Sequence, residues 1–270
     1  MNIQSEIFVS DIHFPYEDKL AWPLTLKVIR AFAPDMVYVG GDAYDFYPVS
    51  DHERVPARRY GDALQQELDY GRGQFGLIRQ ANPNGRIRFK LGNHEGRLER
   101  YLNTKAAELA GIRALQFPGL FDLEDFNVEV IGNRHKDRIG KLWHLHGNET
   151  RLNSGTVNIA FSMYKKFVAN IIFGHWHRLQ RHSQPRFGTL PHTAIANPCL
   201  CDLNVEYDGM PQWQQGFTLI QYSKSGFFQA EQIQILRNAR RAWCLVQGQE
   251  FEYTSTERAR DMGRKLPRAA

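Results

Sequence analysis

The stretch MVYVGGDAYD, residues 36–45, joins four apolar residues to two glycines and two acids. The apolar run Met36–Val39 predicts a buried strand, and the residues after it predict a polar loop. The apolar stretch Ile3–Ser10 and the strand-like stretch Arg86–Leu91 end in polar loops in the same way. Asp18–Phe32, between the first two runs, has apolar residues at helical spacing. This alternation predicts an α/β protein with a largely parallel sheet.

The rest of the chain continues both kinds of element. Helical patterns cover Arg58–Gln80, Leu98–Leu109 and Ser154–Val168, although Gly71 and Gly73 are potential breaks in the first. Strands are predicted at Asn127–Ile131, Ile139–His146, Ile171–Phe173, Thr189–Ala196 and Phe217–Gln221. Composition does not change sharply before about residue 254. We therefore predict one domain over residues 1–254 and a basic C-terminal tail over residues 255–270.

Five short polar clusters follow predicted strands. A single Asp-x-His or Gly-Asp pair is usually a turn or a cap, and a single histidine is usually structural. Here five of the ten histidines fall in the clusters, and a parallel sheet brings the loops after its strands to one edge. The set therefore predicts one shared site. In chain order the clusters are Asp11-Ile12-His13, Gly41-Asp42-Ala43-Tyr44-Asp45, Gly92-Asn93-His94-Glu95, His146-Gly147 and Gly174-His175-Trp176-His177.

Metal ions would make such a site stable. Two unpaired carboxylates at ~4 Å repel each other by about 4 kcal/mol at an effective dielectric constant of 20. Carboxylate, amide and imidazole ligands without thiolate favour divalent ions such as Mn²⁺, Fe²⁺, Zn²⁺ or Ni²⁺. Seven candidate ligands are too many for one tetrahedral ion, which indicates two. Two ions that share a hydroxide can clamp a phosphoryl group during its displacement, which predicts phosphoester hydrolysis.

With these five blocks the chain resembles the calcineurin-like metallophosphoesterase superfamily, whose ordered pattern is D-x-H, G-D-x-x-D, G-N-H-D/E, H and G-H-x-H. The match runs from Asp11 to His177, about two thirds of the chain. The resemblance implies a four-layer α/β/β/α sandwich. It also implies two ion sites that share Asp42: Asp11, His13, Asp42 and His177 for one ion, and Asp42, Asn93, His146 and His175 for the other.

The resemblance leaves His94 outside the ligand set. We expect His94 to donate a proton or a hydrogen bond to a phosphoryl or leaving-group oxygen, with Asp45 orienting its ring. The alternative for Asp45 is a turn or cap residue. His144 lies two residues before His146 on the same strand face. We choose His146 as the ligand because proteins of the family have histidine immediately before glycine here.

The residues after the second block differ from those of one branch of the family. Its serine/threonine protein phosphatases continue the second block with Arg-Gly, whereas this chain has Asp45-Phe46-Tyr47. The chain looks more similar to the compact phosphoesterases of bacteria and their viruses. The resemblance implies a metal-dependent phosphoric ester hydrolase in which a hydroxide that bridges the metals attacks the ester. We expect a phosphodiesterase for nucleotide or nucleic-acid diesters, with a phosphomonoesterase, a protein phosphatase or a silent phosphate-binding module as alternatives.

Basic and aromatic residues beside the blocks are candidates for substrate binding. Arg97 is three residues after His94 and could reach a phosphate oxygen with its guanidinium group, although it could also face water in the first turn of a helix. The other arginines near the blocks could follow a nucleic-acid backbone, and nearby aromatic rings could stack on a base or pack the wall of the site. These residues are Arg54, Arg58, Arg59, Arg178 and Arg181, and Tyr44, Phe46, Tyr47 and Trp176.

Composition sets the remaining expectations. The net charge is +5, of which the tail carries +3, and this weakly suggests a polyanionic partner. The chain contains no apolar run of the ~20 residues that span a bilayer and no signal-peptide pattern, so we expect a soluble, cytoplasmic protein. Its three cysteines are read as reduced thiols. The expected cofactors are two divalent ions, preferably Mn²⁺, with Fe, Zn, Ni and Mg as alternatives; the sequence indicates no oligomeric state.

Overall fold

A computed structural model describes residues 4–50, 63–152, 156–204 and 212–263 of the chain. Its strands form sheets of six, five and three members. The helices are α1 (Ala21–Phe32), α2 (Ala63–Ala81), α3 (Gly96–Lys105), α4 (Ile159–Phe167) and α5 (Ser255–Met262). The strands are β1 (Ser5–Val9), β2 (Met36–Val39), β3 (Arg86–Lys90), β4 (Val128–Ile131), β5 (Asp137–Ile139), β6 (Leu142–His144), β7 (Ile171–Phe173), β8 (Gln180–Arg186), β9 (Thr189–Ala196), β10 (Gly216–Tyr222), β11 (Phe228–Gln234), β12 (Leu236–Arg237), β13 (Arg241–Val246) and β14 (Gln249–Thr254).

The first sheet has the strand order β11-β10-β1-β2-β3-β4. Strands β1 to β4 run parallel, with Val9 opposite Val39 and Val39 opposite Phe89, and β10 and β11 run antiparallel at one side. Every residue of β2 is buried, as expected for a parallel strand that is covered on both faces. The carboxyl ends of β1, β2 and β3 therefore meet at one edge, which confirms the α/β class and the mainly parallel sheet.

The second sheet has the order β5-β6-β7-β9-β8, with β6, β7 and β9 parallel. A core that includes Phe8, Tyr38, Leu142 and Ile172 lies between the first and second sheets. A separate core packs α4 on the other face of the second sheet through residues such as Met163. Helices α1 and α2 cover the remaining face of the first sheet, where the small sheet β12-β13-β14 joins the same core.

Some predicted elements differ from those in the structure. Gly71 and Gly73 do not break α2. A Cβ atom at Gly71 would come within 2.0 Å of the Tyr44 ring, so the close packing of Tyr44 requires glycine at this position. The helix predicted to end at Leu109 ends at Lys105. The strand predicted over Ile139–His146 is two shorter strands. Strands β8 and β11 to β14 were not predicted.

The C-terminal segment begins with helix α5. Thr254 and Glu257 form a capping box at its start, and Lys27 pairs with Glu257 at 3.1 Å. The tyrosine hydroxyl of Tyr253 donates to Asp261 at 2.7 Å. The end of the predicted tail, residues 264–270, lies outside the described residues. In the described part of the chain, no helix has both the length and the apolar character needed to cross a membrane.

Candidate functional site

The loops after β1 and β2 are joined through their backbones. The Asp11 amide donates to the Gly41 carbonyl at 3.0 Å, and the His13 amide donates to the Asp42 carbonyl at 3.0 Å. The parallel register places both loops at the same sheet edge, and the third loop follows β3 beside them. The clusters that were predicted to converge from the first sheet do lie together.

Two glycines allow this close approach. A Cβ atom on Gly92 would come within 2.2 Å of Asp42 Oδ1 and 2.9 Å of His146 Cε1. Gly41 has a φ of +98°, and a Cβ atom there would come within 2.4 Å of His146 Nδ1. Side chains at either position would therefore occupy the space that Asp42 and His146 fill.

Backbone strain is concentrated at this site. A non-glycine residue with positive φ is uncommon and has an energetic cost that the surrounding structure must offset. Such residues cluster where function requires a particular side-chain direction. Five of the seven predicted metal ligands have left-handed backbone: Asp11 (54°), His13 (57°), Asp42 (51°), His175 (68°) and His177 (57°).

Asp11, His13 and His177 form the group that we call cluster A. Asp11 Oδ1 is 3.4 Å from His177 Nε2, and His13 Nε2 is also 3.4 Å from His177 Nε2. Both oxygens of Asp11 accept the His175 amide at 2.9 Å. Ligand atoms in neighbouring positions on one ion, with bonds of about 2.0–2.2 Å, are roughly 3.0–3.5 Å apart. Cluster A therefore has the spacing of ligands around a single ion.

Asp42, Asn93, His146 and His175 form cluster B. His146 Nε2 is 3.1 Å from Asp42 Oδ2 and 3.0 Å from Asn93 Oδ1. The ligand atoms of Asp42, His146 and His175 all lie within 4.8 Å of one another. The backbone amide of His94 donates to Asp42 Oδ1 at 2.8 Å, which turns Oδ2 toward His146. Cluster B also has the spacing of ligands around one ion.

Two imidazole rings make a hydrogen bond through Nδ1, the nitrogen that points away from the clusters. Their Nε2 atoms therefore point toward the clusters. His146 Nδ1 lies 2.9 Å from the Gly40 carbonyl, which can only accept, so Nδ1 carries the hydrogen. His13 Nδ1 likewise lies 3.0 Å from Asp45 Oδ1. This places the lone pair of Nε2 toward the cluster in each neutral ring, the tautomer that a metal-binding histidine requires.

The charges in cluster B also favour a cation. Burial acts to raise the pKa of Asp42, but the nearby His146 and His94 rings hold it well below its ordinary value. Burial acts to lower the pKa of His146, yet Asp42 raises it to about 10. Burial, together with His146, lowers the pKa of His175 to about 4. Buried Asp42 is therefore a carboxylate whose charge is balanced by a protonated ring, in the place that a divalent ion would take.

His94, Asp45 and Arg97 lie between the two clusters. The His13 and His94 rings meet edge to face at 4.3 Å, and His94 Nδ1 is 3.0 Å from Asp45 Oδ1. Arg97 donates to the Asp45 carbonyl at 2.8 Å and approaches His94 Nε2 at 2.9 Å. Arg97 is 9% exposed, so the alternative in which it faces water is wrong. Asp45 contacts both rings, as a residue that orients them must.

Glu95 holds the loops of the site together, a role that the sequence did not predict. Its buried carboxylate accepts the Asp42 amide at 3.0 Å, the Gly92 amide at 2.7 Å and the Tyr44 amide at 2.9 Å. Burial and the charge of Asp42 raise the pKa of Glu95 to about 7. Glu95 stands in the third block, but its partners are backbone amides, so only its position next to His94 could have indicated the role.

Lys90 and Glu149 form a second support that the sequence did not reveal. Glu149 accepts the His146 amide at 2.8 Å and the Gly147 amide at 2.7 Å. Lys90 Nζ, with a fully buried side chain, lies 3.5 Å from Glu149 Oε1 and donates to the Asn133 and His135 carbonyls. The pair fixes the loop that carries His146.

The residues that were predicted to bind substrate differ in their burial and in their contacts. Tyr44 and Phe46 are fully buried, so they pack the core and are not available to stack on a base. Arg178 donates to backbone carbonyls of residues 156 and 157, and Arg181 to the Ala230 carbonyl, which ties both to the protein. Trp176 contacts the His175 ring at 5.1 Å. Arg54, Arg58, Arg59 and His52 lie outside the described residues.

Two exposed or half-buried rings near cluster A were not predicted. Trp213 meets the His177 ring edge to face at 4.3 Å. Tyr16 is 41% exposed and pairs with Tyr47 at 6.1 Å. Neither belongs to one of the five blocks, so the motif pattern did not predict them.

No protein-family model matches the sequence, and no curated protein matches it. Solved structures with a general likeness include three of Vps29. The Zn²⁺ complex of wild-type Vps29 from Entamoeba histolytica has 12% identity and a TM-score of 0.41, covering 91% of this chain and 95% of that one. Vacuolar Protein Sorting 29 from Cryptosporidium parvum has 13% identity and a TM-score of 0.39, covering 94% and 98%. Vps29 from Chaetomium thermophilum has 10% identity and a TM-score of 0.42, covering 93% and 98%. Values this low carry no information about function.

Proposed function

We propose that this chain is a calcineurin-like metallophosphoesterase of the compact bacterial and viral type, which uses two divalent ions to hydrolyse phosphodiesters. One observation carries the proposal. Two clusters with the ligand spacing of single ions lie beside a partly buried histidine, His94, that contacts a buried carboxylate and a buried arginine. The positions of α1 and α2, the two main sheets and α4 support the four-layer α/β/β/α arrangement.

The donor sets fit divalent ions. Cluster A offers one carboxylate and two imidazoles, and cluster B offers a carboxylate, an amide oxygen and two imidazoles. Oxygen and imidazole ligands suit Mn²⁺, Fe²⁺ or Zn²⁺, and we propose Mn²⁺. In the proposed site Asp42 also serves the ion of cluster A, and the charge interactions of its carboxylate with His13 and Asp11 support that bridging role.

Divalent ions bound there would supply positive charge to the phosphoryl oxygens and lower the pKa of water. The chain's own residues handle the leaving group. Nδ1 of His94 donates to Asp45 and Nε2 accepts from Arg97, so Nε2 must first take up a proton from solvent. His94 then donates this proton to the departing oxygen, while Asp45 keeps the ring in place through Nδ1. Burial lowers the pKa of His94 despite the opposing charge of Asp42, which favours the neutral ring, so a proton gained at Nε2 is readily given up.

Arg97 would bind the phosphate. Its guanidinium group reaches His94 Nε2 at 2.9 Å, so it lies where a phosphoryl oxygen hydrogen-bonded to His94 would be. An anionic oxygen gains a charge-assisted bond from Arg97 and releases Nε2 of His94. This exchange would free the lone pair of Nε2 to take up the proton that His94 then donates, which couples substrate binding to general acid catalysis.

We propose nucleotide or nucleic-acid diesters as substrates and the cytoplasm as the location. Support for the substrate class comes from the net charge of +5, from the basic tail, and from the aromatic rings of Tyr16 and Trp213 on the side of cluster A. Stacking on such rings is tolerant of base identity. The rings therefore favour a nucleoside-containing diester over a simple alkyl one.

The test uses the full chain, stripped of metal and reconstituted with Mn²⁺, and bis(4-nitrophenyl) phosphate, 4-nitrophenyl phosphate, cyclic nucleotides and dinucleotides as substrates. We expect turnover of diesters that disappears without metal. Full metal loading without any turnover would overturn the proposal in favour of a binding module. Turnover of the monoester alone would favour the phosphomonoesterase alternative.

Two variants test the residue roles in the same assay. Asp42→Asn should lose both ions, because one carboxylate charge serves both sites. His94→Ala should keep the metal and lose about 10²-fold or more in turnover, the scale of general acid catalysis. Wild-type rates for His94→Ala, or two tightly bound ions in Asp42→Asn, would contradict these roles.

A further inference from the structure

Two buried cysteines lie behind the metal-binding face of His177. Cys199 and Cys201 are 0% and 4% exposed, and Cys201 Sγ is 3.9 Å from His177 Nδ1. The two sulfur atoms and a ring nitrogen of His177 all lie within 4.8 Å of one another. We call this group the thiol cluster. It faces the opposite side of the ring from cluster A, which contacts Nε2.

The backbone holds the two cysteines on one face of a short extended segment. Cys199 pairs with Gln215 across a parallel bridge, and the Cys199 amide donates to the Gln214 carbonyl at 3.0 Å. The amide of Cys201 donates to the Asp11 carbonyl at 3.1 Å. Residues two apart in such a segment point the same way, so the pair converges on His177 without rearrangement of the chain.

We propose that Cys199, Cys201 and Nδ1 of His177 form a third metal site, one that selects a thiophilic divalent cation such as Zn²⁺, Cd²⁺ or Co²⁺. Binding breaks two S–H bonds, forms two metal–sulfur bonds and one bond to Nδ1 of His177, and releases two protons to solvent, with the ring hydrogen on Nε2. When an ion of cluster A occupies Nε2, the ring releases this hydrogen as a third proton and bridges the two ions as an imidazolate. The two thiolates neutralise the charge of the ion, so the buried complex carries no net charge from these groups. The ligand set differs from that of clusters A and B, which offer no sulfur.

The distances suit such an ion. Metal–sulfur bonds of about 2.3 Å and metal–nitrogen bonds of about 2.0–2.1 Å place tetrahedral ligand atoms roughly 3.5–3.8 Å apart. The separation of 3.9 Å between Cys201 Sγ and His177 Nδ1 is already close to this value. The Cys199 thiol donates to the Gln214 carbonyl at 3.4 Å, a weak bond that metal binding would replace. The fourth position remains open to a further ligand.

Titration of the metal-free full chain with Co²⁺ alone tests the site, because thiolate ligands give a near-ultraviolet charge-transfer band that oxygen and imidazole ligands do not. We expect a band with the intensity of two thiolates in the wild-type protein. Cys199→Ser with Cys201→Ser should abolish it. Cys244→Ser is the matched control, since Cys244 is also buried but lies in β13, and it should leave the band unchanged.

The result of the Co²⁺ titration does not depend on the proposed phosphoesterase activity. Asp42→Asn should keep the band while losing the ions of clusters A and B, so failure of one proposal is separable from failure of the other. If the double variant does not fold, ¹¹³Cd NMR of the wild-type chain gives the same answer, because two thiolate ligands move the resonance far downfield. Absence of a thiolate signal in the wild-type chain, or its survival in the folded double variant, would overturn the proposal.

Discussion

His144 and His146 lie two residues apart, yet their ring nitrogens have different partners. His144 Nε2 is 2.8 Å from Glu6 Oε1, and the Tyr222 hydroxyl donates to the other Glu6 oxygen at 2.7 Å. His144 and Glu6 are both fully buried. His146 instead directs Nε2 toward Asp42 and Asn93. His144 therefore has a structural partner, and His146 is the one available to a metal.

Substitution of each histidine should separate these roles. His144→Ala leaves the buried Glu6 carboxylate without its ring partner, which should lower the free energy of unfolding by about 3 kcal/mol. It should keep two bound ions. His146→Ala should lose the ion of cluster B. Denaturant unfolding and metal analysis of both variants check this, and a loss of metal in folded His144→Ala would reverse the assignment.

Glu149 acts on His146 from outside the ligand set. Glu149→Gln keeps the size of the side chain but removes the charge that pairs with Lys90 and one of the two strong acceptors for the loop amides. Loss of such an outer partner typically weakens metal binding by about 10–100-fold. We expect a loss near the lower figure at cluster B only, measured by two-site metal titration.

Glu129→Gln is the matched control for Glu149, because Glu129 is also a carboxylate in an ion pair, with Arg88 at 2.8 Å, but is not part of either cluster. It should bind both ions as the wild type does. Equal weakening of clusters A and B in Glu149→Gln would show a general structural effect and would contradict the specific role of Glu149.

At the residue scale, the order of the five blocks was enough to name the side chains of clusters A and B. The supporting residues were not predictable in the same way. Glu95 and Glu149 bind backbone amides, which any carboxylate can do. Cys199 and Cys201 reach His177 only through the fold. Such contacts depend on three-dimensional proximity and leave no spacing pattern in the chain.

At the scale of elements, the buried parallel strands were the predictable ones. Strand β2, MVYV, is a continuous apolar run followed by glycine, and β1, SEIFV, ends in three apolar residues followed by Ser10-Asp11. Strand β11, FQAEQIQ, has several exposed positions and only two buried ones, so its apolar content is too low to distinguish it from a loop. Helix α5 has no buried residue, and only its Thr254 to Glu257 capping box could have indicated it.

The glycines at the strand ends determine how closely the loops of neighbouring strands can approach each other. Gly92→Ala would place a methyl group within 2.2 Å of Asp42 Oδ1 and 2.6 Å of the Asp42 amide. Because the amide is backbone, the loops after β2 and β3 must separate. We expect loss of metal from cluster B and at least a tenfold loss of the proposed activity, checked by metal analysis and the diester assay.

Gly73→Ala is the control for Gly92→Ala. Gly73 lies in α2, where a Cβ atom would meet nothing within 4 Å. Alanine there should raise the free energy of unfolding by about 0.5–1 kcal/mol, because glycine is a poor helix former. Normal metal content in Gly92→Ala would show that the close approach of the two loops is not required.

At the scale of the whole molecule, both clusters join the two main sheets. Asp11 and His13 follow β1 of the first sheet, whereas His177 follows β7 of the second. In cluster B, Asp42 follows β2 of the first sheet, and His146 follows β6 of the second. Each bound ion would therefore connect the sheets at their shared edge, in addition to the core between them. Metal binding should stabilise the entire fold.

Removal of metal should show this link directly. An ion present at 100 times its dissociation constant adds about 2.7 kcal/mol to the free energy of unfolding, so two ions add about 5 kcal/mol. For a chain of this size that corresponds to a fall in Tm of roughly 10–20 °C when a chelator removes both. Thermal unfolding with Mn²⁺, with chelator and after Mn²⁺ is restored measures it. Asp42→Asn should show little response to the chelator, because its sites are already empty. If the wild-type Tm is the same with and without metal at full loading, the ions do not connect the sheets.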